Sequence, residues 1–158
     1  MNHELNETQF SKNFSQVFFA ADHAGFSLKA KLITWLAPFG IRITNLGVDT
    51  ENSVDYPDMA YNLCRQLLKG AAGILICGSG VGMSIAANRY THIRAALCHE
   101  PLSAYLARAH NNANVLCLGS RLVGETMAKE CVTAFLCTVF EEGRHQRRVE
   151  KLTTCSMP

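Results

Sequence analysis

Between Val17 and Leu118 five short apolar runs alternate with stretches of helical spacing, and the joints between them are short. The runs are Val17–Ala21, Ile41–Leu46, Ala72–Cys77, Ile93–Cys98 and Asn114–Leu118. Ser27–Leu36 is predicted to be a helix from Leu28, Leu32, Ile33 and Leu36. Pro57–Leu68 and Pro101–Ala109 open on prolines, which suit a first helical turn. Gly82–Arg89, Gly124–Phe140 and a basic Arg144–Leu152 complete the helices. Near-continuous apolar strands belong in a sheet covered on both faces, and a helix between successive strands makes them parallel. The prediction is therefore a single α/β domain in three layers, α/β/α, around a five-stranded parallel sheet. With 158 residues, 48% of them apolar, the chain can fill such a core.

Ligands in sheets of this kind bind at the carboxyl ends of the strands, so those ends carry the search for chemistry. The third run is the most informative. AGILICGSGVGMSIAAN is a buried strand that ends in Cys77, passes Gly78, Gly80 and Gly82, and opens a helix. Three glycines exceed what one tight turn needs, which suits close approach of backbone N–H groups to a ligand. The spacing is GxGxG, not the GxGxxG of dinucleotide sites, and no P-loop lysine follows. Glu100, about 20 residues on, stands where a ribose-binding acid would, so a nucleotide remains an alternative. A Cys-x5-Arg phosphatase loop is excluded, because Met83 occupies the arginine position. Cys77 at a strand end facing a helix start is set apart from the six other cysteines.

Asp22 and His23 follow the first strand, where Asp also serves as an ordinary helix cap. His110 and Asn111 precede the fifth strand and so belong to the opposite sheet edge from Cys77. If His110 works with Cys77, the two come from different subunits. Arg144 and Arg148, four apart, share one face of the predicted basic helix and suit a phosphate dianion. The net charge of +2 and the lack of interleaved aromatics speak against nucleic acid. No apolar run has the length of a membrane span, and seven cysteines without CxxC spacing suit a reducing cytoplasm. Residues 1–15 read as a loose polar extension, 16–152 as the domain, and 153–158 as a tail.

Several separate stretches, AADHAGFSLK, VDYPDMA, GILICGSGVGMSIAANR, IRAALCHEPLSAYLARAHNNANVLCLGSR and EGRHQRRV, together resemble the type B ribose-5-phosphate isomerases, grouped with the galactose-6-phosphate isomerase subunits. The resemblance covers roughly residues 17–152. It implies a Rossmann-like sheet, a homodimer or homotetramer with active sites between subunits, and interconversion of D-ribose 5-phosphate and D-ribulose 5-phosphate without metal or cofactor. By the same resemblance Cys77 is the catalytic base and Ser79 a hydroxyl relay beside it. His110 and Asp22 would open the sugar ring. Gly78, Gly80, Gly82 and Asn111 would hold the enediolate oxygens or substrate hydroxyls, and Tyr56 would line the pocket. His23, Arg121, Arg144 and Arg148 would bind phosphate. Other members carry a glutamate base at the position of Met83, so this chain resembles the cysteine branch. A hexose 6-phosphate substrate (galactose or allose) and a non-catalytic nucleotide- or phosphate-binding module are the alternatives.

Overall fold

The computed structural model describes residue 10 and residues 13–154. Its strands are β1 (Val17–Ala21), β2 (Ile43–Asn45), β3 (Ala72–Cys77), β4 (Ala95–Leu97) and β5 (Val115–Gly119). The α-helices are α1 (Phe26–Leu36), α2 (Tyr56–Gln66), α3 (Val81–Ala87), α4 (Pro101–Asn111), α5 (Glu125–Cys137) and α6 (Gln146–Thr153). All strand pairs are parallel, in the order β2-β1-β3-β5-β4. The predicted five-stranded α/β/α sandwich is the one observed.

Strand alternation sorts the apolar residues into two cores. Phe19, Ile74, Ile76, Leu116 and Leu118 face α1, α4 and α5, meeting Leu32, Leu36, Ala104, Val132 and Phe135. Phe18, Leu75, Cys77 and Cys117 face α2 and α3, meeting Leu63, Cys64, Met83 and Ala87. Both faces of the three central strands are therefore apolar, as their sequences require.

The outer strands are shorter than predicted. Ile41–Leu46 and Ile93–Cys98 contract to the three residues of β2 and β4, because each pairs on one side only. The basic C-terminal helix is also divided. Gly143 takes φ +51°, a 3-10 turn covers Gly143–His145, and α6 begins after it, so Arg144 and Arg148 do not share one continuous α-helix. Within the stretch expected to be loose, Phe10 and Phe14 are buried. Phe14 stacks near Phe135 with ring centroids 6.1 Å apart, and the Arg108 guanidinium lies 4.6 Å from the Phe14 centroid. Burial pushes the Arg108 pKa down to about 10. The tail residues 155–158 lie outside the described residues.

Lys29, on α1, is a charged residue with no exposed surface. Its three N–H bonds are matched by three acceptors: Asn45 Oδ1 at 2.6 Å, the Val48 carbonyl at 2.7 Å and Asp49 Oδ1 at 2.8 Å. That satisfaction is what permits its burial. It ties the end of β2 and the loop after it to α1, and the Val48 amide of that loop donates to the Ala21 carbonyl at the end of β1.

Candidate active site

The direction of chain progression reverses between β1, which leads outward to β2, and β3, which leads toward β5 and β4. The crevice beyond such a switch is where an open α/β sheet holds its ligand. A cavity of about 270 Å³ lies there, lined by Asp22, Tyr56, Cys77, Gly78, Ser79, Gly82, Arg121 and Leu122. Every one of these except Leu122 is a residue the sequence singles out.

Backbone hydrogen bonds hold the three loops together. The Asp22 amide donates to the Ile76 carbonyl, the Ser120 amide to Cys77 and the Arg121 amide to Gly78. The Ser120 hydroxyl adds contacts to the Ala24 carbonyl at 2.8 Å and the Cys77 carbonyl at 3.2 Å. Ser120 was not expected to matter. Its position directly after β5, at the same edge as Cys77, is the signal that would have found it.

Asp22 is nearly buried, and its Oδ1 accepts from the Ala24 amide at 2.9 Å and the Gly25 amide at 3.0 Å. Both bonds go to one oxygen, so the carboxylate is anchored without both oxygens being committed to the turn. Cys77 Sγ accepts from the Gly80 amide at 3.1 Å. One of the glycine-loop donors expected to face substrate is thus turned onto the sulfur instead. Gly80 reaches this geometry at φ +77°. The Val81 amide donates to Ser79 Oγ at 3.3 Å, which leaves the Ser79 proton available to another acceptor.

The glycines also account for the cavity's shape. A Cβ on Gly82 would lie 2.5 Å from the Tyr56 ring, and one on Gly119 would lie 2.5 Å from the Ser79 carbonyl oxygen. The Arg121 guanidinium lies over Gly78, where a Cβ would sit 3.3 Å from Nη1. Met83 is fully buried against the α2/α3 core, so no proton acceptor stands at the glutamate position of the other branch.

The remaining candidates do not join this cavity within one chain. His23 Nδ1 accepts from the Val54 amide at 3.3 Å, and His23 is not among the cavity's lining residues. Asn111 lines a different hollow with Asn88, Arg94 and Leu152. His110, at the end of α4, stacks on His145 with centroids 4.2 Å apart and planes 5° apart. Its Nε2 lies 3.6 Å from Glu141 Oε2, and His145 Nε2 lies 3.9 Å from the same oxygen. Arg144 Nε donates to His145 Nε2 at 3.3 Å. The imidazole of His145 is held below its ordinary pKa by desolvation first, then by His110 and Arg144. Glu141 and His145 are further site candidates that the sequence reading passed over, although His145 directly follows Arg144. Glu100, the candidate ribose acid, is occupied as the cap of α4, accepting from the Leu102 amide at 2.6 Å and the Ser103 amide at 2.7 Å.

A thiol, a carboxylate and a hydroxyl around a small hollow at the switch point define a small-molecule enzyme site on an α/β sheet. Residues 17–152 match the Ribose/Galactose Isomerase family. Ribose-5-phosphate isomerase B of Escherichia coli K12 is 45% identical over 140 residues, 87% of this chain and 94% of the relative. A ribose 5-phosphate isomerase structure from Thermotoga maritima superimposes with a TM-score of 0.86 at 48% identity, covering 89% of this chain and 99% of its own. The ribose-5-phosphate isomerase B of Mycoplasma genitalium, solved with bound ribulose-5-phosphate, gives a TM-score of 0.84 at 41% identity, covering 87% and 93%. The chain belongs to the ribose/galactose isomerase family, and it is a sugar-phosphate isomerase.

Proposed function

We propose that this chain interconverts D-ribose 5-phosphate and D-ribulose 5-phosphate, using the Cys77 thiolate as the base that moves a proton between C2 and C1. The observation that carries the reading is the Cys77 sulfur at the wall of the switch-point cavity, with Ser79, Asp22 and Tyr56 around the same space. The bound Mycoplasma relative, with its ribulose-5-phosphate, supports the substrate class.

The chemistry has three demands. The closed sugar ring must open, which needs an acid and a base on either side of it. His110 and Asp22 take these roles. The weakly acidic C2 proton must then be removed by an aligned base, with the developing enediolate charge met by fixed donors. Cys77 removes it and returns it to C1. The Ser79 hydroxyl passes a proton between the two sugar oxygens, and Gly78, Gly82 and Asn111 bind the oxygens. Finally the phosphate must be gripped away from the reacting carbons, so that binding energy serves the reaction. Arg121, His23, Arg144 and Arg148 form that grip.

His110, Asn111, Arg144 and Arg148 come from a second copy in this reading, as a homodimer or a pair of dimers. Exposed apolar side chains around the cavity support it. Val81 and Ile85 share a face of α3, while Leu102 stands at the start of α4 and Leu122 on the cavity rim, each more than two-fifths exposed. A reducing cytoplasm suits the chain, whose described cysteines are all free and buried. Among the described residues no helix is long and apolar enough to cross a membrane.

The test is direct. Purified protein is given ribose 5-phosphate, galactose 6-phosphate or allose 6-phosphate with a chelator present, and ketose is measured. Ribulose 5-phosphate formation well above both hexose rates is expected. Turnover of a hexose phosphate alone would overturn the substrate, and binding without turnover would favour the non-catalytic module.

A further inference from the structure

The amino edge of the sheet holds another hollow, of about 550 Å³, a size ordinary for small-ligand sites. Ala71, Arg94 and Asn114, the residues directly ahead of β3, β4 and β5, line it. Cys77 ends β3, so the length of that strand separates this hollow from the switch-point cavity.

Two guanidiniums share one partner there. Arg94 Nε donates to the Asn112 carbonyl at 2.8 Å, and Arg108 Nη1 donates to Asn112 Oδ1 at 2.9 Å and to the Ala113 carbonyl. These bonds cap the C-terminal end of α4, where cations are favoured. They use only part of the five N–H groups that each guanidinium offers. Among the described residues, Arg108 Nε is buried without an acceptor, and no carboxylate pairs with Arg94, Arg108 or the exposed Lys69 that lines the same hollow. No acidic side chain is in its wall. Burial lowers the pKa of Arg94, and that of Arg108 falls first through burial and then through the charge of Arg94. Each cation thus makes the other costlier to bury, and a buried charge is seldom kept without its counter-charge. Beside the charges the wall is apolar, with Leu67 buried along it and Leu68 exposed.

We propose that this hollow is a second ligand site for a small phosphate monoester, its dianion held by Arg94, Arg108 and Lys69 and its organic part lying on Leu67 and Leu68. A dianion matches the charge these side chains bring together, and guanidinium forks match phosphate oxygens. No residue of the site belongs to the Cys77 cavity, so it stands whichever sugar phosphate turns over there.

Calorimetric titration of the full chain with phenyl phosphate tests the site, beside Arg94→Gln, Lys69→Gln and, as a marker of the catalytic cavity, Arg121→Ala. Arg94→Gln should weaken binding about tenfold or more, the scale of a lost charge-assisted hydrogen bond. Lys69→Gln, at an exposed position, should weaken it about threefold. Arg121→Ala should leave this binding unchanged. Benzoate, a monoanion on the same ring, should bind more weakly than phenyl phosphate. Affinity unchanged in both amino-edge variants, or lost in Arg121→Ala alone, would place phenyl phosphate beside Cys77 and overturn the site. No binding at millimolar concentrations would overturn it as well, and benzoate binding as tightly would overturn the dianion. Should Arg94→Gln fail to fold, Lys69→Gln still decides.

Discussion

Cys77 is the side chain on which the proposed chemistry turns. Cys77→Ala should lower kcat/KM for ribose 5-phosphate more than about a hundredfold, the scale of a lost general base. Calorimetric binding of the sugar phosphate should persist, because the grip uses other groups. Activity above about one hundredth of the parent's would count against this base. Three other buried thiols are unsuited to such a role for a physical reason. Burial pushes Cys64 and Cys137 up to about 11 and Cys131 up to about 12, so almost none of them is thiolate at neutral pH. Sequence position placed Cys77 at the carboxyl edge of the sheet, where it lines the cavity, because a strand end after an apolar run and before glycines has one place to be in this sheet. What the sequence left hidden is where the small groups point. Nothing in GSG announces that the Gly80 amide turns onto the sulfur, or that Ser120 ties two loops, since both depend on contacts between distant segments.

Helices and strands were legible where their partners are symmetrical and obscure where they are not. β1 and β3 have the predicted limits, Val17–Ala21 and Ala72–Cys77, because each has a strand on either side. The outer strands and the broken C-terminal helix depend on which neighbours are missing and on one glycine with positive φ, which apolar spacing does not encode. The fully buried Lys29 was equally hidden, since its three acceptors lie 16 to 20 residues away. Its anchor yields a pH-dependent expectation. The Asp49 carboxyl is held below its ordinary value of 3.8, first by the hydrogen bond from Lys29 and then by that from Asn45. A depressed carboxylate stabilises the fold above its unfolded pKa and stops doing so as pH falls through the folded one. Asp49→Asn should therefore lower Tm at pH 7, through a loss of stability of no more than about 1 kcal/mol given the exposed partner. In thermal melts the two proteins should converge in acid below the folded pKa. An offset that stayed constant down to that acid limit would show that charge is not the cause.

The proposed sharing of one site by Cys77 of one chain and His110 of another makes a prediction about assembly. Cys77→Ala and His110→Ala chains should each be nearly inactive. Denatured together and refolded as dimers at equal amounts, half the pairs are mixed, and each holds one intact site of two. About one quarter of the parental activity should return. No recovery, with mixed dimers verified by mass, would mean that both groups act within one chain or that His110 has no part.

The two border strands have a consequence of their own. Ile43–Asn45 and Ala95–Leu97 each offer three residues, too little open ladder to template an incoming strand. Sideways growth into a continuous ribbon is thereby denied to this chain. What a second copy would meet instead is side chains on the helical flanks, and such contacts, when matched about a twofold axis, satisfy each other and close the assembly.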